Sequence, residues 1–148
     1  MRIVRELLAP VSSSELFEYV GDLDAYPAWM PLVHDVERLS VAADDDPVWS
    51  VELRAKVGPF ARSKRLRMRR TEYQPDSLAV FERSEDDERH HSPWVLRAEL
   101  TPVDSPAEQT TLRMTLTYGG SLWAGPALER VLDDQVRRGS DALLELVV

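Results

Sequence analysis

The chain has 148 residues, no cysteine and a formal net charge of −8, and these values exclude several kinds of protein. A domain of this length buries about 70% of its unfolded surface, so it needs no disulfide to build a core. Without cysteine there are no thiolate nucleophiles and no cysteine-ligated metal sites. The acidic charge argues against binding to nucleic acid or to anionic membranes, because both are negatively charged themselves.

The N-terminal residues 1–6 contain no apolar signal-peptide core, and no apolar run in the sequence approaches the ~18 residues of a membrane span. We therefore expect a cytoplasmic protein without stable membrane insertion. Lys56 and Lys64 are the two lysines among the 18 basic residues. The strong preference for arginine is typical of a GC-rich bacterial genome.

The first part of the chain predicts one strand and two short helices. Residues 2–8 alternate β-forming side chains and predict the strand. A serine run then provides N-cap hydroxyls for a helix from about Ser13 to Gly21, with Gly21 as its left-handed end. Asp24 is predicted to cap the second short helix, and Pro31 to stop it.

The rest of the chain predicts a sheet followed by one long helix. From Leu32 to Tyr118, apolar and polar residues alternate in six further strand candidates joined by hairpin-length loops, which favours antiparallel order. After Gly119 and Gly120, an apolar stripe predicts one continuous helix from about Gly125 to Leu146. The stripe residues expected to face the sheet are Leu128, Leu132, Val136 and Leu143. Without repeats or linkers, residues 1–148 are predicted to form a single domain.

Several segments together carry a family pattern. The segments Pro10–Phe17 and Asp22–Pro31 lie near the N-terminus, and the second contains a Tyr-Pro-x-Trp motif. Trp94 in a late strand, the Thr-rich element Thr110–Tyr118 and the long amphipathic helix follow in order. This arrangement resembles the START-like (SRPBCC) superfamily, the polyketide cyclase/dehydrase and lipid-transport family.

The resemblance implies an α+β helix-grip fold, in which a seven-stranded antiparallel sheet is wrapped around a long C-terminal helix over a hydrophobic cavity. A helix of ~33 Å cannot fill the concave face of such a sheet, which also predicts a cavity. The family includes aromatase/cyclases, coenzyme Q-binding proteins, lipid carriers and plant hormone binders. The fold therefore does not fix the function.

The candidate ligand-binding residues are those that strand alternation or the helices turn toward the expected cavity. Aromatic side chains there suit a polycyclic or isoprenoid ligand, although ordinary core packing is the commoner reason for aromatic residues at such positions. The candidates are Trp29, Trp49, Met68, Arg70, Trp94, Leu116, Tyr118 and Leu132. The hydroxyl of Tyr118 would donate to a ligand oxygen or, alternatively, to a backbone carbonyl. Trp123 is expected at the rim of the cavity or in the core.

Cations on strand 60–71 are a second group of candidates. Arg62, Lys64 and Arg70 share the parity of Leu66 and Met68, so at least one of them can face the cavity. A cation buried there would need an anionic partner. The alternative is a solvated strand face, where arginine is usually found.

The sequence assigns no catalytic residue. It contains no phosphate-binding glycine loop, zinc-protease helix motif or nucleophile elbow. His90 and His91 are adjacent and would point to opposite sides of a strand. In a loop they could converge, but no third ligand group is nearby, and His34 lies far away in sequence. A catalytic zinc site needs three convergent ligands. We therefore expect neither a metal nor a cofactor.

Three functions remain open at this point. The favoured one is binding of a hydrophobic small molecule, which would be lipid-, isoprenoid- or polyketide-like, because few polar groups are certain to face the cavity. The alternative is a cofactor-free polyketide cyclase or aromatase acting on a poly-β-ketone. The third is a protein-interaction role, since the family includes ribosome-associated toxins. We expect a monomer or a homodimer that binds no nucleic acid.

Overall fold

A computed structural model describes residues 1–103, 107–119 and 126–148. The described elements are, in chain order, β1 (Arg2–Ala9), α1 (Ser13–Val20), a 3₁₀ helix (Leu23–Ala28), β2 (Val33–Arg38), β3 (Val48–Val57), β4 (Phe60–Gln74), β5 (Leu78–Arg83), β6 (Trp94–Val103), β7 (Gln109–Tyr118) and α2 (Pro126–Val147).

The seven strands form one antiparallel sheet in the order β1-β7-β6-β5-β4-β3-β2. Every neighbouring pair except β1 and β7 is consecutive in sequence, as short hairpin loops require. Helix α2 contacts both β1 and β3, which lie near opposite ends of this order. The sheet must therefore curve around the helix, and the predicted helix-grip fold is confirmed.

Helix α2 runs without interruption from Pro126 to Val147. The four stripe residues predicted to face the sheet are all buried, and Leu132 is fully inaccessible to solvent. Gly125, the first residue of the predicted range, lies outside the described residues. The amphipathic spacing was sufficient to predict this helix because one unbroken apolar face has to be covered by the sheet.

Helix α1 begins as predicted but ends differently. The hydroxyl oxygen of Ser12 accepts a hydrogen bond from the backbone N–H of Glu15 at 3.1 Å, which is a standard N-cap. Gly21 has a φ of −77°, so the prediction of a left-handed end was wrong. Glycine is needed at this position because the Phe17 ring leaves no room for a side chain. A Cβ at residue 21 would lie 2.7 Å from Cε2 of Phe17.

The second short helix is of the 3₁₀ type, and Asp24 does not cap it. Asp22 occupies the N-cap position without a side-chain cap bond, and Asp24 lies in the first turn. The carboxylate of Asp24 accepts a hydrogen bond from the indole N–H of Trp49 at 3.0 Å and pairs with Arg38 at 3.2 Å. The predicted cap was wrong because a sheet tryptophan and a sheet arginine both reach this carboxylate. The helix also ends at Ala28, before Pro31.

The strand bounds differ from the predicted ones at irregular positions. Strand β4 continues beyond residue 71 to Gln74, through a register shift between Arg70 and Glu72. Strand β2 ends at Arg38, although apolar residues continue to position 41. Alternation identifies a strand, but a bulge changes the parity and so blurs the end of the pattern.

Candidate functional site

An apolar cavity of about 40 Å³ lies between the concave face of the sheet and helix α2. Its wall comes from the 3₁₀ helix, the segment that follows it, five of the strands and α2. All of the lining side chains are hydrophobic, and nearly all are buried. They are Leu23, Met30, Leu32, Val33, Val51, Leu53, Leu66, Met68, Trp94, Leu96, Met114, Leu116 and Val136.

The cavity is small for a ligand site. A single water needs about 10–15 Å³, but an apolar cavity offers water no hydrogen bonds and tends to stay empty. Pockets for drug-sized ligands measure about 300–1,000 Å³. A ligand of a few fused rings must therefore widen this cavity. Met30, Met68 and Met114 line it from three different parts of the chain, and their unbranched side chains can change rotamer readily.

The candidate ligand-binding residues do not all reach this cavity. Met68, Trp94 and Leu116 are part of its lining, whereas Leu132 is buried in the core outside it. These three belong to β4, β6 and β7. They meet at the cavity because each points to the concave face and because α2 leaves this part of the face uncovered.

Trp29 and Trp49 have packing roles away from the cavity lining. The indole N–H of Trp29 donates to the backbone carbonyl of Tyr19 at 3.0 Å, and its ring lies 4.8 Å from that of Tyr26. Trp49 donates to the carboxylate of Asp24, and its ring meets that of Phe81 edge to face. Both indoles are oriented by a polar partner outside the cavity.

Arg70 attaches the junction between α1 and the 3₁₀ helix to the sheet. Its guanidinium donates to the backbone carbonyl of Gly21 at 3.0 Å and to the carboxylate of Asp22. It also lies 3.7 Å from the ring centroid of Tyr73. The anionic partner that this cation needs is thus a carboxylate of the chain itself, so the structure places Arg70 outside the cavity lining.

Tyr118 lies behind the cavity wall. Its ring stacks on Trp94 with 5.1 Å between centroids, and only 2% of the residue is exposed. Its hydroxyl has no hydrogen-bond partner among the described residues. Burial raises the pKa of this hydroxyl, and the Glu129 carboxylate raises it further. Trp123, the expected rim residue, lies outside the described residues.

Charged residues gather beside Trp94, at one end of the cavity. Lys64 pairs in register with Leu53 and lies two residues from Leu66, so it continues the concave face beyond these two lining residues. Its ammonium nitrogen is 6.0 Å from the ring centroid of Trp94. Arg83 and Glu85 both act electrostatically on Lys64, and we call these three residues the Lys64 cluster.

Within the Lys64 cluster, Arg83 and Glu85 form a largely buried ion pair with 2.9 Å between Nε and Oε1. The parity of strand 60–71 indicated Lys64, whereas no pattern in the sequence was used to predict the Arg83–Glu85 pair. A signal for it was present, since Arg83 lies two residues after the buried Phe81 and therefore shares its face.

The histidines do not converge. His91 is 2.7 Å from the carboxylate of Asp87, and His34 is 3.6 Å from that of Glu52. The hydrogen bond with His91 is the main reason why the pKa of Asp87 is lowered. Among residues 1–103, 107–119 and 126–148, no three histidine or acidic side chains are grouped so as to hold a metal ion. That no metal is bound stays a prediction.

None of the helices in the described residues has the length and apolarity needed to cross a membrane.

Residues 2–147 match the family model described as polyketide cyclase / dehydrase and lipid transport. The chain belongs to this family. The resemblance inferred from the Tyr-Pro-x-Trp segment and the order of elements is thereby confirmed. Among curated proteins, none matches the chain significantly.

Solved structures show the same fold at low sequence identity. A START superfamily protein from Mycobacterium smegmatis superposes with a TM-score of 0.74 at 16% identity, over 99% of this chain and 96% of that one. The Zhui aromatase/cyclase from Streptomyces sp. R1128 gives 0.66 at 13% identity, over 99% and 93%. The Aha1 dimer from Colwellia psychrerythraea gives 0.62 at 10% identity, over 99% and 96%. At these identities the similarity establishes the fold alone.

Proposed function

We propose that this chain binds a hydrophobic small molecule, a lipid, isoprenoid or polyketide-like compound, in the cavity between the sheet and α2. The observation that carries the proposal is a buried cavity whose lining side chains are all hydrophobic. The family description, which includes lipid transport, supports the same function. In this proposal residues 1–148 act as a single domain without a cofactor or metal.

The energetics of the cavity favour a ligand that enlarges it. Atoms that line an empty cavity lack van der Waals partners on one side, and a bound apolar group supplies them. Micromolar affinity corresponds to about −8 kcal/mol. About 320 Å² of buried apolar surface provides this at ~25 cal/mol per Å², before the costs of binding are subtracted. Three methionine side chains in the lining can move aside to make room for a ligand with this much apolar surface.

The alternative is a cofactor-free polyketide cyclase or aromatase. Such an enzyme needs a group that transfers protons at the folded substrate. No lining side chain among the described residues titrates. Lys64 and Tyr118 are titratable groups that lie against Trp94, and neither belongs to the lining. The cavity therefore favours binding over catalysis, although a structural neighbour is described as an aromatase/cyclase.

We further propose a cytoplasmic monomer or homodimer that binds no nucleic acid. The net charge of −8 supports the last point, because phosphate backbones attract basic surfaces. One structural neighbour is described as a dimer.

A ligand panel tests the binding proposal. Polycyclic aromatics, quinones and fatty acids are added to the protein, and binding is followed by thermal shift and tryptophan quenching. Val136→Ile adds one methylene group at a lining residue of α2 and narrows the cavity. Val20→Ile is the matched control, because Val20 is equally buried but lies outside the lining.

We expect at least one class of ligand to bind saturably and to raise Tm. Its affinity should fall in Val136→Ile and not in Val20→Ile. If no compound binds the wild-type protein, or if Val136→Ile binds as well as the wild type, the cavity is not the site. The protein-interaction role would then be the better interpretation.

A further inference from the structure

Lys64 is a half-buried cation at the end of an apolar cavity. Among the described residues it forms neither a salt bridge nor a side-chain hydrogen bond, and its ammonium nitrogen lies over the face of the Trp94 ring, 6.0 Å from the centroid. A partly desolvated ammonium group is costly unless an anion compensates it. The position therefore leaves a charge that a ligand can neutralise.

The neighbouring Glu85 carboxylate does not form an ion pair with Lys64. The carboxylate of Glu85 accepts hydrogen bonds from Nε of Arg83 at 2.9 Å and from the backbone N–H of Arg67 at 3.2 Å. Burial and the positive charge of Arg83 lower the pKa of Lys64, and Glu85 opposes this only in part. The cluster thus contains two cations and one carboxylate, and the carboxylate is engaged by Arg83.

Trp94 connects this charge to the cavity. Its ring forms part of the cavity wall and also lies beneath the ammonium group of Lys64. Leu53 and Leu66, the neighbours of Lys64 across and along the sheet, belong to the same wall. An apolar ligand body lying against these side chains would therefore end close to Lys64.

We propose that Lys64 binds the anionic oxygen head group of a ligand whose apolar body occupies the cavity. The inference rests on the proposed function and narrows it to hydrophobic organic acids, such as carboxylic acids and acidic phenols or enols. An ammonium–carboxylate hydrogen bond is charge-assisted and about twice as strong as a neutral one. Arg83 is less suited to this role because Glu85 already neutralises it.

The test compares acids with their methyl esters, which keep the apolar body and remove the charge. The probes are 2-naphthoic acid, a long-chain fatty acid and the two esters, each displacing a neutral fluorescent dye. Lys64→Met keeps the aliphatic stem, and Lys64→Arg keeps the charge. Lys56→Met is the matched control, because Lys56 is the other lysine of the chain and is exposed on β3.

The wild-type protein should bind each acid about tenfold more tightly than its ester, the effect of one charge-assisted hydrogen bond. Lys64→Met should lose this preference while keeping its affinity for the esters, and the other two variants should retain it. Equal binding of acid and ester, or an unchanged preference in Lys64→Met, overturns the head-group inference but leaves the cavity proposal standing. If neither acid nor ester binds, the cavity proposal fails and this inference fails with it.

Discussion

Gly139, in the middle of α2, lies directly against Met30 at the wall of the cavity. A Cβ at position 139 would stand 2.8 Å from Sδ and 3.3 Å from Cα of Met30. Glycine is unfavourable inside a helix, so its presence here reflects this close approach. The contact fixes how near α2 comes to the segment after the 3₁₀ helix, and Met30 is itself a lining residue.

Gly139→Ala should lower the free energy of unfolding by about 1 kcal/mol, because overpacking outweighs a gain of ~1 kcal/mol in helix propensity. It should also weaken ligand binding, since Met30 has to move toward the cavity. Urea denaturation measures the first effect and dye displacement the second. In a Met30→Ala background the destabilisation should shrink. A Gly139→Ala variant more stable than the wild type would contradict this account of the contact.

Trp94→Phe should abolish most of the ligand-induced fluorescence quenching. Among the described residues, Trp94 is the one tryptophan that lines the cavity, while Trp29 and Trp49 lie outside the lining. Phenylalanine keeps an aromatic wall, so affinity measured by dye displacement should change less than the quenching does. Trp49→Phe is the comparison and should leave the ligand response largely intact. A ligand signal that persists in Trp94→Phe would place the binding site elsewhere.

Arg70→Met should destabilise the fold by about 2 kcal/mol, because it removes two hydrogen bonds made by a largely buried guanidinium. Arg70→Lys should recover part of this loss, since an ammonium group can still pair with Asp22. Chemical denaturation measures both variants. At temperatures where Arg70→Met is folded, its ligand affinity should equal that of the wild type. If Arg70→Met lost ligand affinity while remaining folded, Arg70 would contribute to ligand binding after all.

Lys64 should make the stability of the protein depend on pH in the alkaline range. Its pKa is lowered in the folded state by burial and Arg83, with Glu85 opposing. Between that pKa and the ordinary lysine value, the unfolded chain holds a proton that the folded protein has released. The free energy of unfolding should therefore rise with pH across this range.

Urea denaturation at several values between about pH 8 and pH 10 measures this slope, since ordinary lysines titrate near 10.4. Lys64→Met should lose the contribution of Lys64 to the pH dependence of the free energy of unfolding, and Lys56→Met should retain it. The difference between the variants isolates the contribution of Lys64 from the contributions of all other titratable groups. Identical slopes in the wild type and Lys64→Met would show that Lys64 is solvated like any surface lysine.

Patterns that repeat along the sequence were sufficient to predict the fold. The alternation along β3 predicted which of its residues face inward, and the stripe on α2 predicted that Leu132 and Val136 would be buried. The predictions for single positions such as Gly21 and Asp24 were wrong. A cap or a chain reversal depends on the few atoms that happen to surround it, and those atoms come from elements distant in sequence.

The element order and the inward faces followed from the residue pattern alone, because periods of two and of 3.6 residues report which side of an element must avoid water. The packing of the elements places Met68 and Trp94 at the cavity and Trp49 outside its lining, and no sequence pattern distinguished these residues. Alternation along a strand shows which face of the sheet a residue lies on, but it does not show which side chains that residue contacts. The indole of Trp49 is directed by Asp24 from another element. Where a void remains depends on how side chains from separate elements interdigitate, which no local pattern encodes.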